Sequence, residues 1–188
     1  MEVKVTYFEK KGPENTAQVF ELVRVRAGEL GVKKVVVPTT GGDTGLLALV
    51  ELEAFQVVAV THPAGYKEPG EIEVPEDKLR DLRVRAHGVV TSTLAFGGVG
   101  RSVRRKFDTW QAEEIIAQTL KRFGAGVKVA VECTLMAADA GLVSPEEDIV
   151  ACGGSGRGLD TALVIRPTNA QTFFEIKILE LICKPREF

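Results

Sequence analysis

No stretch of about 18 uninterrupted apolar residues occurs in this 188-residue chain, so nothing in it reads as a membrane span. Charge of one sign is also missing. Lys and Arg number 24 against 26 Asp and Glu, a net charge of −2, which gives no electrostatic reason to bind nucleic acid or an anionic membrane. The three cysteines, Cys133, Cys152 and Cys183, are odd in number, far apart and without a CxxC pair. That excludes a disulfide framework and argues against a zinc site. All three lie in apolar stretches, as small buried hydrophobes of a reducing cytoplasm do. The N-terminal run MEVKVTYFEKKG carries charges among its apolar residues, unlike a signal peptide. Gly-x-Ser-x-Gly, His-Glu-x-x-His and Gly-Lys-Ser/Thr are all absent, so no nucleophile elbow, zincin helix or nucleotide P-loop is expected.

What is present fits one cytoplasmic domain over 1–188. Apolar residues make up 45% and charged residues 27%, enough for a packed core. Such a length buries roughly 70% of the surface of the unfolded chain. Residues 2–8 alternate as a short strand. Val19, Phe20, Val23, Ala27 and Leu30 recur at helical spacing, from the turn at Gly12–Thr16 to a stop at Gly31. Strands are read at 35–37, 56–60, 88–90, 148–152, 161–165 and 175–182, and helices at 46–54, 112–123 and 127–140. The span 67–82 is a polar loop leading into a helix, and 94–106 is glycine-rich, then basic, a solvated face. Gly124 to Gly126 break the chain between two helices, the second apolar nearly all round and therefore buried. Trp110 reads as packing, and no role is assigned to His87. Strands alternating with helices predict an α/β fold with a mostly parallel sheet covered on both faces.

Ligands of such folds collect at the carboxyl ends of the strands. Four strands here end in polar or glycine-rich turns, near Val37, Val60, Val90 and Cys152. The first turn, Thr39, Thr40, Gly41, Gly42, Asp43 and Thr44, offers glycines for close backbone approach, hydroxyl donors and the following helix N-terminus. It is either a phosphate loop or a plain turn with Asp43 or Thr44 as helix cap. The turn Gly153, Gly154, Ser155, Gly156, Arg157 and Gly158, with Asp160 and Thr161, has four glycines in six positions and an added cation. A ligand loop is the stronger reading there, the alternative being a mobile turn. His62, after Thr61 and before Gly65, is either a ring contact or acid/base, or a hydrogen-bonded histidine at a strand end. Thr91 and Thr93 end a neighbouring strand. Glu132 and Asp139 lie two turns apart on the buried helix and either line the pocket or pair with Arg157 or Lys128, pairing being the stronger reading.

Several of these segments resemble one family. Phe8-Glu9-Lys10, Gly12-Pro13-Glu14-Asn15-Thr16, Thr61-His62 with Gly65, and Phe123-Gly124 with Gly126 to Glu132 carry the likeness. Met136 to Gly141, and Gly156-Arg157-Gly158 with Asp160-Thr161-Ala162, extend it over nearly the whole chain. They are similar to small stand-alone proteins that resemble the C-terminal domain of pyruvate kinase. The resemblance implies a three-layer α/β/α sandwich with a mixed sheet. It also implies flavin mononucleotide (FMN) as the bound cofactor, with no assigned activity. Three functions stand as alternatives: an FMN-binding protein of unassigned activity, with a flavin-dependent oxidoreductase as one form of it; a sensor module holding a phosphorylated metabolite without catalysis; or an oligomeric scaffold whose loops are only turns. In the kinases the turn matching Thr39, Thr40, Gly42 and Thr44 holds a sugar phosphate. Here Gly41 replaces a hydroxyl and Asp43 places a negative charge nearby. Kinase chemistry is not implied, because it belongs to a separate (β/α)8 barrel. The final strand, with Phe174, Ile176, Ile178 and Ile182 on one face, predicts a sheet edge and homo-oligomers.

Overall fold

A computed structural model describes residues 2–188. Its centre is a seven-stranded sheet: β1 (Thr6–Phe8), β2 (Lys34–Pro38), β3 (Gln56–Thr61), β4 (Gly88–Thr91), β5 (Ile149–Gly153), β6 (Thr161–Arg166) and β7 (Lys177–Pro185). The spatial order is β1-β7-β6-β5-β2-β3-β4, and β6 alone runs antiparallel to its neighbours. Six α-helices cover it: α1 (Thr16–Leu30), α2 (Asp43–Glu51), α3 (Glu76–Arg85), α4 (Val99–Phe107), α5 (Ala112–Leu120) and α6 (Ala125–Asp139).

Strand alternation divides the core into two layers. Val35 and Val37 of β2 join Val19, Phe20 and Val23 of α1, whereas Val36 joins Val127, Ala130 and Val131 of α6. A smaller cluster of Ala59, Val74, Leu79 and Leu82 seats α3 on the α1 side. The expected three-layer α/β/α sandwich with a mostly parallel mixed sheet is therefore present. The three cysteines are buried free thiols, and desolvation raises them, Cys183 to about 12.

Several boundaries differ from the sequence reading. The first strand is only Thr6–Phe8, because only these residues find a partner, along Cys183–Pro185. Helix α2 starts at Asp43 rather than 46, since Gly42 at φ 92° turns the chain into it directly. Residues 121–123 leave α5 as a 3-10 turn, and α6 begins at Ala125 behind Gly124. Residues 170–175 form a 3-10 turn and the last strand begins at Lys177. That strand is not the terminal edge, because β1 pairs with its end. Its first half, Lys177 to Glu180, has no outer partner among the described residues.

Candidate functional site

Strands β2 and β5 are adjacent in the sheet, yet the chain leaves β2 toward β3 and leaves β5 toward β6. Such a switch point opens a crevice at the carboxyl ends of the two strands. The crevice is a cleft of about 580 Å³, and both glycine-containing loops open into it.

From the first loop, Thr39, Thr40, Gly41, Asp43 and Thr44 line the cleft. The Thr39 hydroxyl accepts the Gly45 N–H at 3.2 Å, so it caps α2. The first helical turn also presents the positive end of the helix dipole. Gly42 faces α3 and the residues before it, where a Cβ would meet Lys78 and Val74, and lies outside the cleft. The charge of Asp43 does not stand alone. Its carboxylate pairs with Lys78, which holds it below the usual carboxylate range.

From the second loop, Gly154, Gly156, Arg157 and Gly158 line the cleft. Their glycines serve different needs. A Cβ on Gly153 would fall 1.9 Å from the Gly126 carbonyl oxygen, and one on Gly154 would fall 2.1 Å from the Gly158 carbonyl oxygen. At Gly158 it would strike Thr16 and Pro13. Only Gly156, at φ 113°, has open space around it. The sequence reading of four glycines kept for a ligand is thus corrected. Three are required by close packing, and only the fourth, Gly156, faces open space.

Gly153, Ser155, Asp160 and Thr161 do not line the cleft. Asp160 is fully buried and accepts the Gly12 N–H at 3.3 Å, the Ser155 N–H at 3.1 Å and the Thr161 hydroxyl at 2.8 Å. It braces the loop. Thr16 adds a second tie by accepting the Leu159 N–H at 2.9 Å.

Thr61 and His62 reach the cleft from the end of β3. The His62 Nδ1 pairs with Glu73, and its ring lies 4.0 Å from the Tyr66 ring. Burial raises the Glu73 carboxyl, but Lys67 and His62 outweigh this and hold it low. Thr61 hydrogen-bonds Thr91, whose hydroxyl is 2.7 Å away. Thr91, Thr93 and Gly65 do not line the cleft. The Gly65 N–H instead closes a turn on the Glu71 carbonyl at 2.9 Å.

The floor comes from α6, where Val129, Cys133 and Met136 recur at helical spacing beside Leu94. Glu132 pairs with Lys128 and accepts the Phe96 N–H at 3.0 Å, so its expected partner is Lys128. Asp139 instead lies exposed, accepting from Asn169 and the Ala170 N–H. Glu132 and Lys128 also line the cleft, whereas Asp139 does not; the apolar part of the floor, Val129, Cys133 and Met136, was missed in the sequence although its i, i+4, i+7 spacing was visible. Also missed was Arg101, which reaches the cleft from a stretch read as solvated. Trp110 is not packing but exposed, beneath the Arg104 guanidinium at 5.2 Å.

Taken together, the cleft has cations on its rim, helix and loop N–H groups on two sides and an apolar floor. Such a cleft, at the switch point of an α/β sandwich, is the candidate ligand site. Residues 17–165 match the family model described as pyruvate kinase, alpha/beta domain. The chain belongs to that family.

Proposed function

We propose that the cleft binds a phosphate ester with a flat or apolar body, and that this ligand is FMN. The observation that carries the reading is the convergence of two loops with anion-binding chemistry on one apolar-floored cleft. Its volume lies in the usual range for such ligands, about 300–1,000 Å³. The phosphate meets the N–H groups at the start of α2 or those around Gly156, with Arg157 beside it. The ring lies on Val129, Cys133 and Met136, edged by His62.

The same residues favour binding over catalysis. The Cys133 thiol is buried and raised by desolvation, which disfavours a thiolate nucleophile. His62 and Glu132 are both held by charged partners. This supports the sensor reading, in which a phosphorylated metabolite is held without turnover.

Denaturing the purified protein and identifying what is released tests the ligand directly. Titration of stripped protein should then show binding of FMN and much weaker binding of riboflavin, which lacks the phosphate. A hydrogen bond to a charged group contributes about 1.5–3 kcal/mol, so Thr44→Ala is expected to weaken FMN binding about ten-fold or more. Equal affinity for FMN and riboflavin would remove the phosphate from this cleft. Preference for sugar phosphates over FMN would leave the sensor reading alone.

We propose further that a second copy of the chain pairs along Lys177 to Glu180, the half of β7 without an outer neighbour. Phe174, 91% exposed, with Ile178 and Leu179, gives that edge an apolar border. Sedimentation is expected to show a dimer or larger assembly at micromolar concentration. Monomer alone would contradict this.

A further inference from the structure

Helix α4 differs from the other five helices in that it buries no residue. Val99, Val103 and Phe107 form a stripe at i, i+4, i+8, but Val99 is 79% and Phe107 68% exposed. Little apolar contact therefore holds the helix in place, which puts its opening at the low end of local stability. Residues with positive φ bound it at both ends. Gly97 and Gly98 precede it, Gly98 at φ 64°, and Asp108 follows at φ 51° as the one non-glycine with positive φ among the described residues.

The charges on α4 also lack balance. It carries Arg101, Arg104, Arg105 and Lys106 and no acid. Arg101 and Arg105 are a like-charge i, i+4 pair, and Arg101 lies in the first turn, where the dipole disfavours a cation. Among the described residues no carboxylate pairs with Arg101, whose guanidinium lies 6.0 Å from the centre of the Tyr66 ring at the cleft rim. The ties of α4 are polar: Gly100 approaches the Glu113 side chain, and Arg104 stacks on Trp110 and pairs with one acid. Arg104 donates through Nε to Glu114 Oε1 at 2.7 Å, while the buried Oε2 of Glu114 has no partner. The seat of α4 is thus half used. A small shift that lets Arg104 fork across both oxygens would complete it.

We propose that α4 is a hinged strap that a bound anion closes over the cleft. Arg101 is the residue it recruits, a ligand contact that neither loop supplies. The inference rests on the reading of the cleft as a phosphate-ester site. An anion beside Arg101 neutralises the charge that opposes the first turn and draws the helix inward. Arg104 then settles fully on Glu114.

Trypsin reads the strap, because α4 is its richest target. Cleavage after Arg104 and Lys106 is followed by mass spectrometry with and without saturating FMN, and FMN affinity is measured separately by flavin fluorescence. Two variants, Arg101→Ser and Arg105→Ser, remove the same charge from the same helix and keep both monitored sites. Arg105 is exposed and does not line the cleft. FMN is expected to slow cleavage of the wild type about ten-fold or more. Arg101→Ser should abolish that protection and weaken FMN about ten-fold, whereas Arg105→Ser should preserve both. Binding with unchanged cleavage overturns the strap and leaves the cleft reading intact. Equal loss in both variants overturns the role of Arg101, and failure of the wild type to bind FMN overturns strap and flavin reading together.

Discussion

Alanine at Gly153 is expected to destabilise the protein by about 3 kcal/mol or more, at the upper end of overpacking effects. The added methyl would lie 1.9 Å from the Gly126 carbonyl oxygen, 2.7 Å from its carbon and 3.0 Å from its Cα. All three are backbone atoms of the first turn of α6, so no side-chain rotation relieves the clash. Nor can α6 slide past β6. A Cβ on Gly126 itself would lie 2.1 Å from the Thr161 hydroxyl oxygen, which marks how closely that turn is seated on β6. Separation would open the layer in which Val127, Ala130 and Val131 meet the sheet. Denaturant unfolding measures the loss, and for a domain of this size each kcal/mol lowers Tm by about 2–4 °C. Gly28→Ala is the control. It lies inside α1 with nothing within 4 Å of the added atom, and should stabilise by about 0.5–1 kcal/mol. A Gly153→Ala protein as stable as the wild type would show that the α6–β5 approach is looser than described.

The contrast between Gly153 and Gly156 explains what the sequence made legible. The central strands announced themselves because both faces are buried. In β2 consecutive valines go to opposite layers, so an apolar run without alternation is the signature. The same logic disclosed α6. Helix α4 was hidden because its apolar stripe faces nothing, and its cations resembled an ordinary solvated surface. The start of α2 was hidden because its first turn is polar and belongs to the cleft. The position of the cleft followed from strands ending in polar turns, a property of topology that chain order conveys. The roles of individual loop residues did not follow. A glycine required by a neighbouring backbone and one left open for a ligand are the same letter, and only the tertiary approach separates them. Asp160 is the sharpest case, since it stands beside the glycine-rich loop yet turns inward.

Replacing Asp160 by alanine is expected to have the other large effect, about 3 kcal/mol of lost stability together with loosened ligand binding. The carboxylate has no surface exposure, and it joins three pieces of chain. Gly12 lies in the loop after β1, Ser155 in the loop after β5, and Thr161 opens β6. Alanine leaves two backbone N–H groups and a hydroxyl without their acceptor. Each orphaned buried donor costs about 1–3 kcal/mol, partly offset because a buried charge is removed as well. Gly12 leads directly to Pro13 and Thr16 on the cleft wall, and Ser155 lies between Gly154 and Gly156 on the facing loop. Releasing both from one anchor lets the walls move independently, so FMN affinity should fall along with Tm. Asn at the same position keeps the shape and the oxygen that accepts both N–H groups, but loses the charge, and its N–H₂ obliges the Thr161 hydroxyl to turn from donor to acceptor. It should fall between the wild type and alanine in both measurements. Thermal unfolding and FMN titration of the three proteins check this order. If the alanine variant keeps its Tm and loses affinity, Asp160 acts on the ligand and not on the walls. If it keeps both, the bracing role fails.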